Sequence, residues 1–348
     1  MRLGLNAGWW GVGADQDNLE LVRRAEGLGY DVVWVAEAYG VDAVSVLAWI
    51  GASTTTIRLG AGVLQIPART PAMTAMTAAG LDALSGGRFV LGLGVSGPQV
   101  SEGWHGVRFD RPLGRTREYV AIVRQALARE TVRADGEHFT LPLPDGPGKA
   151  LKLSAAPTGD RVPVYLAAVG PRNLELAGEI ADGWLGIFVS PRFLGEQLAS
   201  IQSGRARPGA PADPVRLDAM VPLAVGPDLE RCADAVRGYA ALYVGGMGSR
   251  RANFYNQLAV RMGYADEAAR VQELYLGGRQ RDAAAALPLD FLDETSLLGP
   301  PERIGERLAR YAEAGMDTVS VLPFGRDLAE RTAMVEAVAD AADRAGLR

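Results

Sequence analysis

The sequence predicts an α/β chain folded as a (β/α)8 TIM barrel with insertions over its mouth. Three observations point there. Eight short apolar runs of buried-strand type alternate with helical periodicity along the whole 348 residues. A repeated stop precedes several of those runs: Gly29-Tyr30-Asp31 before Val32, Ala181-Asp182 before Trp184, and Gly315-Met316-Asp317 before Thr318. The third is negative. Gly92-Leu93-Gly94-Val95-Ser96-Gly97 spells G-x-G-x-x-G, the dinucleotide fingerprint, but in the wrong place. That fingerprint belongs after a first strand, opens a helix, and meets an acidic residue about 20 residues on. Here three strand–helix units precede it, Pro98 and a polar loop from Ser101 to His105 follow, and the acidic residue at that distance, Asp110, lies in a loop. The glycines fit better at a barrel strand end, where bare backbone lets a flat ring approach.

The elements follow in order. Residues 3–6 form the first strand directly after Met1-Arg2, which leaves no room for a secretory leader. Leu19, Val22, Ala25 and Leu28 recur at three-residue steps and predict the first helix. Residues 32–35 and 57–61 are the next two strands, and Thr70-Pro71 launches a helix with proline in its first turn. Residues 89–91 are the fourth strand. A hairpin insertion at about residues 131–162 follows, with Ala134-Asp135-Gly136-Glu137 as its turn. Residues 164–166 lead through Gly170-Pro171 into a helix over 174–180. Residues 184–187 lead to Ser190-Pro191, and residues 217–225 to Gly226-Pro227. A second insertion at about residues 243–303 carries extra helices, including alanine-rich residues 281–287, before the eighth strand at 318–322. No linker divides the chain, so residues 1–348 read as one domain.

Composition narrows the function. One cysteine, Cys232, excludes a disulfide framework and suits the cytoplasm. No apolar run approaches about 20 residues, so no membrane association is expected. Net charge is −5 with dispersed arginines, which excludes a nucleic-acid footprint. His105, His138 and Cys232 are too few for an ordinary zinc site, and no metal is expected. His138 and Cys232 read as structural.

Catalysis in such a barrel takes place at the carboxyl ends of the strands. Those ends supply Asn6, Gly8, Trp9 and Trp10; Glu37 and Tyr39; Gly62, Val63 and Gln65; Gly94, Val95, Ser96, Glu102, Trp104 and His105; and Ala167 to Arg172. The set is rich in small and aromatic residues and poor in acid–base groups. A large planar cofactor suits it better than hydrolysis does, unless the small residues only pack the barrel top. Ala168-Val169-Gly170-Pro171-Arg172 enters a helix, so free backbone N–H groups and Arg172 offer a phosphate site; an ordinary strand-to-helix turn has the same residues. Glu37, His105, Glu102 and Tyr39 are the candidate proton donors, against loop salt bridges or plain exposure. Trp9, Trp10 and Trp104 are candidate walls of a substrate pocket. Arg250, Arg251 and Asn253 are candidates for an anion grip, or else a solvated face.

Longer strings are similar to a known family. Leu81-Asp82, Ser85, Gly87-Arg88-Phe89, Leu91-Gly92 and Gly94 resemble a signature of the bacterial luciferase-like flavin and deazaflavin oxidoreductases. So do Gly60-x-Gly62-Val63 with Thr70-Pro71, and Ala167-Ala168-x-Gly170-Pro171 running into Leu176-Ala177-Gly178 and Ala181-Asp182-Gly183. Gly97-Pro98-Gln99-Val100-x-Glu102-Gly103-Trp104 most resembles an actinobacterial branch that uses coenzyme F420. The resemblance implies a non-prolyl cis peptide between Gly62 and Val63 behind the cofactor ring. It also implies that Gly94, Val95 and Ser96 line the ring and its side chain, and that Ala168, Gly170 and Pro171 form the phosphate loop. Glu37, Gln65, Val169 and Arg172 join the cofactor-binding candidates by their place at the strand ends. Ala38 stands where the family's sugar-phosphate dehydrogenases have histidine, and Gly97-Pro98 where they have a carboxylate. The luciferases' histidine near the second strand is missing too. These departures set the chain apart from both activities.

The expected function is hydride transfer between the deazaflavin C5 and a small organic substrate, in the direction of C=C, C=N or C=O reduction. An FMN-dependent monooxygenase fed by a separate cofactor-reducing enzyme is the alternative, and a non-catalytic deazaflavin-binding protein the third reading. A homodimer is a family expectation.

Overall fold

In the computed structural model, residues 1–8, 15–158, 161–248 and 253–348 are described, the side chains of Asp15 and Gln16 excepted. Eight parallel strands close on themselves: β1 Arg2–Asn6, β2 Val32–Val35, β3 Arg58–Ala61, β4 Phe89–Gly94, β5 Val164–Ala167, β6 Gly183–Ile187, β7 Arg216–Val225 and β8 Thr318–Pro323. Each pairs with its sequence neighbours, and β8 returns to β1 with Leu3 opposite Val319. The predicted eight-stranded barrel is therefore the fold, and each strand was placed to within a residue or two or, at the carboxyl end of β4, three.

The barrel's centre shows why several strand positions are glycine. Trp34, Tyr165, Leu185, Met220, Val32 and Val90 fill it. A Cβ on Gly60 would lie 2.2 Å from the Trp34 ring, and one on Gly183 2.4 Å from the Tyr165 ring. Large rings from two strands are thus accommodated by missing side chains on neighbouring strands. Around the barrel the helices bury an apolar stripe against the outward faces of the strands. Asp15–Gly27, for instance, contributes Leu19, Leu21, Val22 and Ala25.

Helix starts are partly as predicted. Pro71 and Pro171 occupy the first turn of Pro71–Ser85 and Pro171–Ile180. Pro191 lies in a turn ahead of Leu194–Arg205, and Pro227 in a bend ahead of Leu229–Ala241. In the latter case the Asp228 side chain caps the helix instead, accepting from Glu230 N at 3.0 Å. The first insertion holds the predicted hairpin, Ala134–Asp135 against Thr140–Leu141. One expectation fails: Pro98–Gly103 is a short helix, where the polar composition had read as loop.

The second insertion begins with a π-helical turn, Leu242–Gly246, followed by Phe254–Arg261, Ala265–Leu276, Gln280–Ala285 and Leu289–Glu294. It builds its own apolar cluster, which also takes in Phe188, Ala224 and Leu298 from the ends of barrel elements. Leu297–Gly299 then extends the sheet beside β7 before helix Pro301–Glu313 leads into β8. No helix among the described residues is long and apolar enough to cross a membrane.

Candidate active site

The site grows from a break in β3. After Ala61 the chain passes through a cis peptide between Gly62 and Val63, then resumes as Leu64–Gln65, which pairs with Leu93 and Gly94 of β4. This is the cis bond the resemblance implied. A Cβ on Gly92 would lie 1.9 Å from the Ala61 carbonyl oxygen, and one on Gly94 2.6 Å from Val63 Cγ2. The G-x-G of β4 therefore makes room for the protein's own bulge. That corrects the view that these two glycines are bare in order to admit a ring: Val63 already takes the space over Gly94. Trp34 supports the bulge from inside the barrel, 3.1 Å from where a Gly62 Cβ would be. Its indole N–H donates to Asp218 Oδ2 at 2.9 Å.

The rim beside the bulge is tied together by polar side chains. Gln65 is buried, donates to the Ala38 carbonyl at 2.8 Å, and accepts from Ser96 Oγ at 2.7 Å. Ser96 holds a left-handed φ of 60° after β4. Glu37, after β2, forms a two-pronged ion pair with Arg69, at 2.5 and 2.7 Å, and Arg69 also reaches Asp42 at 2.6 Å. The Glu37 oxygens additionally accept from Ala43 N and Gln65 N. The Glu37 carboxylate, 10% exposed, is thus occupied on both oxygens. Engaged in this way, it holds the rim in shape. Arg69, which the sequence reading missed, has its pKa raised chiefly by the Glu37 hydrogen bonds.

On the far side, Ala168 and Val169 follow β5 and Gly170 starts helix Pro171–Ile180. No side chain caps this helix, and a Gly170 Cβ would meet nothing within 4 Å. Pro171 and Arg172 are exposed. The loop is fixed from behind, since Trp184 Nε1 donates to the Ala168 carbonyl at 2.9 Å and Arg261 to the Val169 carbonyl at 3.0 Å. The Arg261 Nε is buried without a hydrogen bond and forms a long ion pair with Glu196 Oε1 at 3.8 Å. A helix start with open N–H groups beside an arginine of unspent donor capacity is a competent anion seat. Arg261 is the second residue the sequence reading missed; nothing in its surroundings along the chain marks it.

The proposed acids and walls fare unevenly. His105 is half-buried and its Nε2 is buried without a partner. Glu102 is exposed and accepts from Phe109 N at 3.1 Å, so it clips its own loop and does not face a site. Trp104 is 67% exposed. Tyr39 is exposed but lies within electrostatic reach of Tyr243 and Tyr275. Asn253 is structural. Its Oδ1 caps Phe254–Arg261 through Tyr255 N and Asn256 N, and its Nδ2 donates to the Tyr243 and Val244 carbonyls. Trp9, Trp10, Arg250 and Arg251 lie outside the described residues. His138 packs in the hairpin against Gly114, and Cys232 is buried in its helix.

Comparison with known proteins places the chain in a family. The profile of the luciferase-like monooxygenases fits residues 6–318. The chain belongs to that family. A Mycobacterium tuberculosis protein provisionally named a coenzyme F420-dependent oxidoreductase is 44% identical over 341 residues, 94% of this chain and 98% of the relative. A 5,10-methylenetetrahydromethanopterin reductase of Archaeoglobus fulgidus is 29% identical over 88% of this chain and 89% of its own. Among solved structures, the coenzyme F420-dependent tetrahydromethanopterin reductase of Methanopyrus kandleri superposes with a TM-score of 0.82 at 22% identity, covering 98% of each chain. At that identity the likeness speaks for the fold.

Proposed function

We propose that this luciferase-like protein is a coenzyme F420-dependent oxidoreductase that reduces a C=C, C=N or C=O bond of a small organic substrate. The relative at 44% identity carries the choice of cofactor. The site is compatible with it. The Gly62-Val63 bulge, with Val95 and Ser96 beside it, offers a firm backing for a planar ring. Ala168 to Arg172 and Arg261 offer donors for a phosphate. When bound, reduced F420 would supply a hydride. The protein's part is to seat the ring against Val63, keep water from it, and hold a proton for the product. A separate enzyme would reduce the cofactor.

Helices Ala43–Ser53 and Pro71–Ser85 pack side by side and carry one charged residue between them, the buried Asp82. Met73, Met76 and Leu84 are exposed on that face. We read it as the contact of a homodimer, for which light scattering should give twice the 36.8 kDa chain mass.

The test is titration of the purified protein with F420 and FMN in parallel, followed by tryptophan quenching. Micromolar or tighter F420 binding with much weaker FMN binding is expected. The reverse order would replace this reading with an FMN-dependent monooxygenase, which oxygen uptake would reveal. Tight F420 binding with no turnover across a substrate panel would leave a binding protein.

A further inference from the structure

Tyr239, Tyr243 and Tyr255 gather over the ends of β6 and β8. Phe188 follows β6 in a left-handed conformation, φ 52°. Its ring stands 5.5 Å from Tyr243, 5.9 Å from Tyr239 and 6.3 Å from Tyr255. Tyr239 is 5.5 Å from Phe324, the residue after β8, and 4.7 Å from Tyr243, which in turn meets Tyr255 at 4.8 Å. From the end of β2, Tyr39 acts electrostatically on Tyr243. Three strand ends thus converge on one group of phenols across the barrel mouth.

Two properties distinguish these tyrosines from ordinary core rings. Burial raises the pKa of each hydroxyl above the usual phenol value, yet each side chain keeps partial solvent exposure. Side chains that are both desolvated and touched by water line a concave chamber. Beyond burial, the groups acting on the three hydroxyls are other tyrosines, and no charged side chain among the described residues is one of them. Its described walls are aromatic, and their polar groups are neutral O–H donors. Tyr243 is also held in place. It lies in the π-helical turn Leu242–Gly246, whose Tyr243 and Val244 carbonyls accept from Asn253 Nδ2 at 2.9 and 3.0 Å. Such turns commonly mark functional positions.

We propose that this chamber takes a neutral, mainly apolar carbonyl compound such as a cyclic enone or ketone, and that Tyr243 donates the hydrogen bond and then the proton to its oxygen. This rests on the hydride-transfer reading above. As hydride from reduced deazaflavin adds to the carbonyl carbon, or to the β-carbon of an enone, the π pair moves onto oxygen. After addition at the carbonyl carbon, the Tyr243 O–H bond breaks as the product O–H bond forms. The tyrosinate recovers its proton from water by way of Tyr239, and the deazaflavin is the group oxidised. An alkoxide, formed by addition at the carbonyl carbon, is far more basic than any phenolate, so a high-pKa tyrosine still yields its proton. An enolate, formed by addition at the β-carbon, is about as basic as a phenolate, so there the Tyr243 hydrogen bond stabilises the oxygen and water supplies the proton. The described walls hold no charged partner for a carboxylated or phosphorylated substrate and leave it unpaired.

The experiment follows carbonyl-labelled cyclohex-2-enone by infrared spectroscopy and titration, with cyclohexanecarboxylate as the anionic comparison. In wild type the enone should bind saturably with its C=O stretch moved to lower frequency. In Tyr243→Phe the shift should vanish and affinity fall at least fivefold, while F420 affinity stays unchanged. The carboxylate should bind far more weakly. The proposal is overturned if the enone does not saturate wild type, if its stretch is the same in both proteins, or if the carboxylate binds better. Enone binding is read with and without F420, so loss of F420 binding defeats the cofactor reading alone.

Discussion

A Cβ at Gly92 would meet the Ala61 carbonyl oxygen at 1.9 Å and one at Gly94 would meet Val63 Cγ2 at 2.6 Å, while at Gly97 the nearest atom is Gln99 Oε1 at 3.9 Å. One motif therefore predicts three outcomes. Gly92→Ala must force apart neighbouring strands whose backbones cannot yield, and should cost about 3 kcal/mol or more in thermal unfolding. Gly94→Ala pushes on a side chain of the bulge, so it should cost less stability but weaken F420 binding measurably. Gly97→Ala should change stability by no more than about 0.5 kcal/mol. A Gly92→Ala protein as stable as wild type would refute this account. The sequence already showed that these glycines do not make a dinucleotide fold, because Pro98 and the preceding strand–helix units are local information. It did not show that Val63 is what crowds Gly94, because that contact crosses between strands. Glu37 illustrates the same limit. Its place at a strand end was legible, but Arg69, which occupies both its oxygens, lies 32 residues on in a segment with no motif.

The element that most changes the reading of the site is helix Phe254–Arg261. Asn253 caps its start and Arg261 ends it against the Val169 carbonyl, so the insertion fastens the loop that would hold the cofactor's phosphate. Arg261 is 26% exposed, makes one hydrogen bond there and meets the exposed Glu196 only at 3.8 Å, so its Nε donor is not hydrogen-bonded. Arg261→Met keeps the aliphatic stem and removes the donors, so the melting temperature should stay near wild type. F420 affinity should drop by about 10- to 100-fold, the scale of one charge-assisted hydrogen bond of ~1.5–3 kcal/mol. Unchanged affinity in the fluorescence titration would mean that Arg261 only packs. At this scale the barrel strands were readable because buried parallel strands are continuous apolar runs with glycine and aspartate before them. Pro98–Gly103 was not, since six residues make too few turns to show a period and their polar side chains mimic a loop.

Closure of the barrel puts Asp218 in a place no local pattern reveals. It lies on β7 facing inward, 2% exposed, beneath the ring that supports the bulge. Burial raises its pKa from 3.8 to about 7, partly offset by the Ser320 hydroxyl and then the Trp34 indole N–H. In the unfolded chain the carboxyl ionises near its ordinary value; in the folded barrel it keeps its proton to about pH 7. Between those values the folded state binds more protons than the unfolded state. Stability therefore falls as pH rises through the window and levels off above the folded pKa. The loss attributable to this group is on the order of a few kcal/mol. Asp218→Asn keeps an oxygen for the Trp34 N–H and cannot ionise. Relative to wild type the variant should gain melting temperature progressively from about pH 5 to pH 7, by several degrees, and hold that gain above it. Acidic groups whose pKa lies low, such as Glu26 and Asp42, titrate below this window and cancel in the comparison. A melting-temperature difference that stays constant across the range would show that the barrel hydrates or neutralises Asp218 in another way. The same melts repeated with F420 bound would then show whether a ligand above the bulge senses the proton below it, since Trp34 touches both.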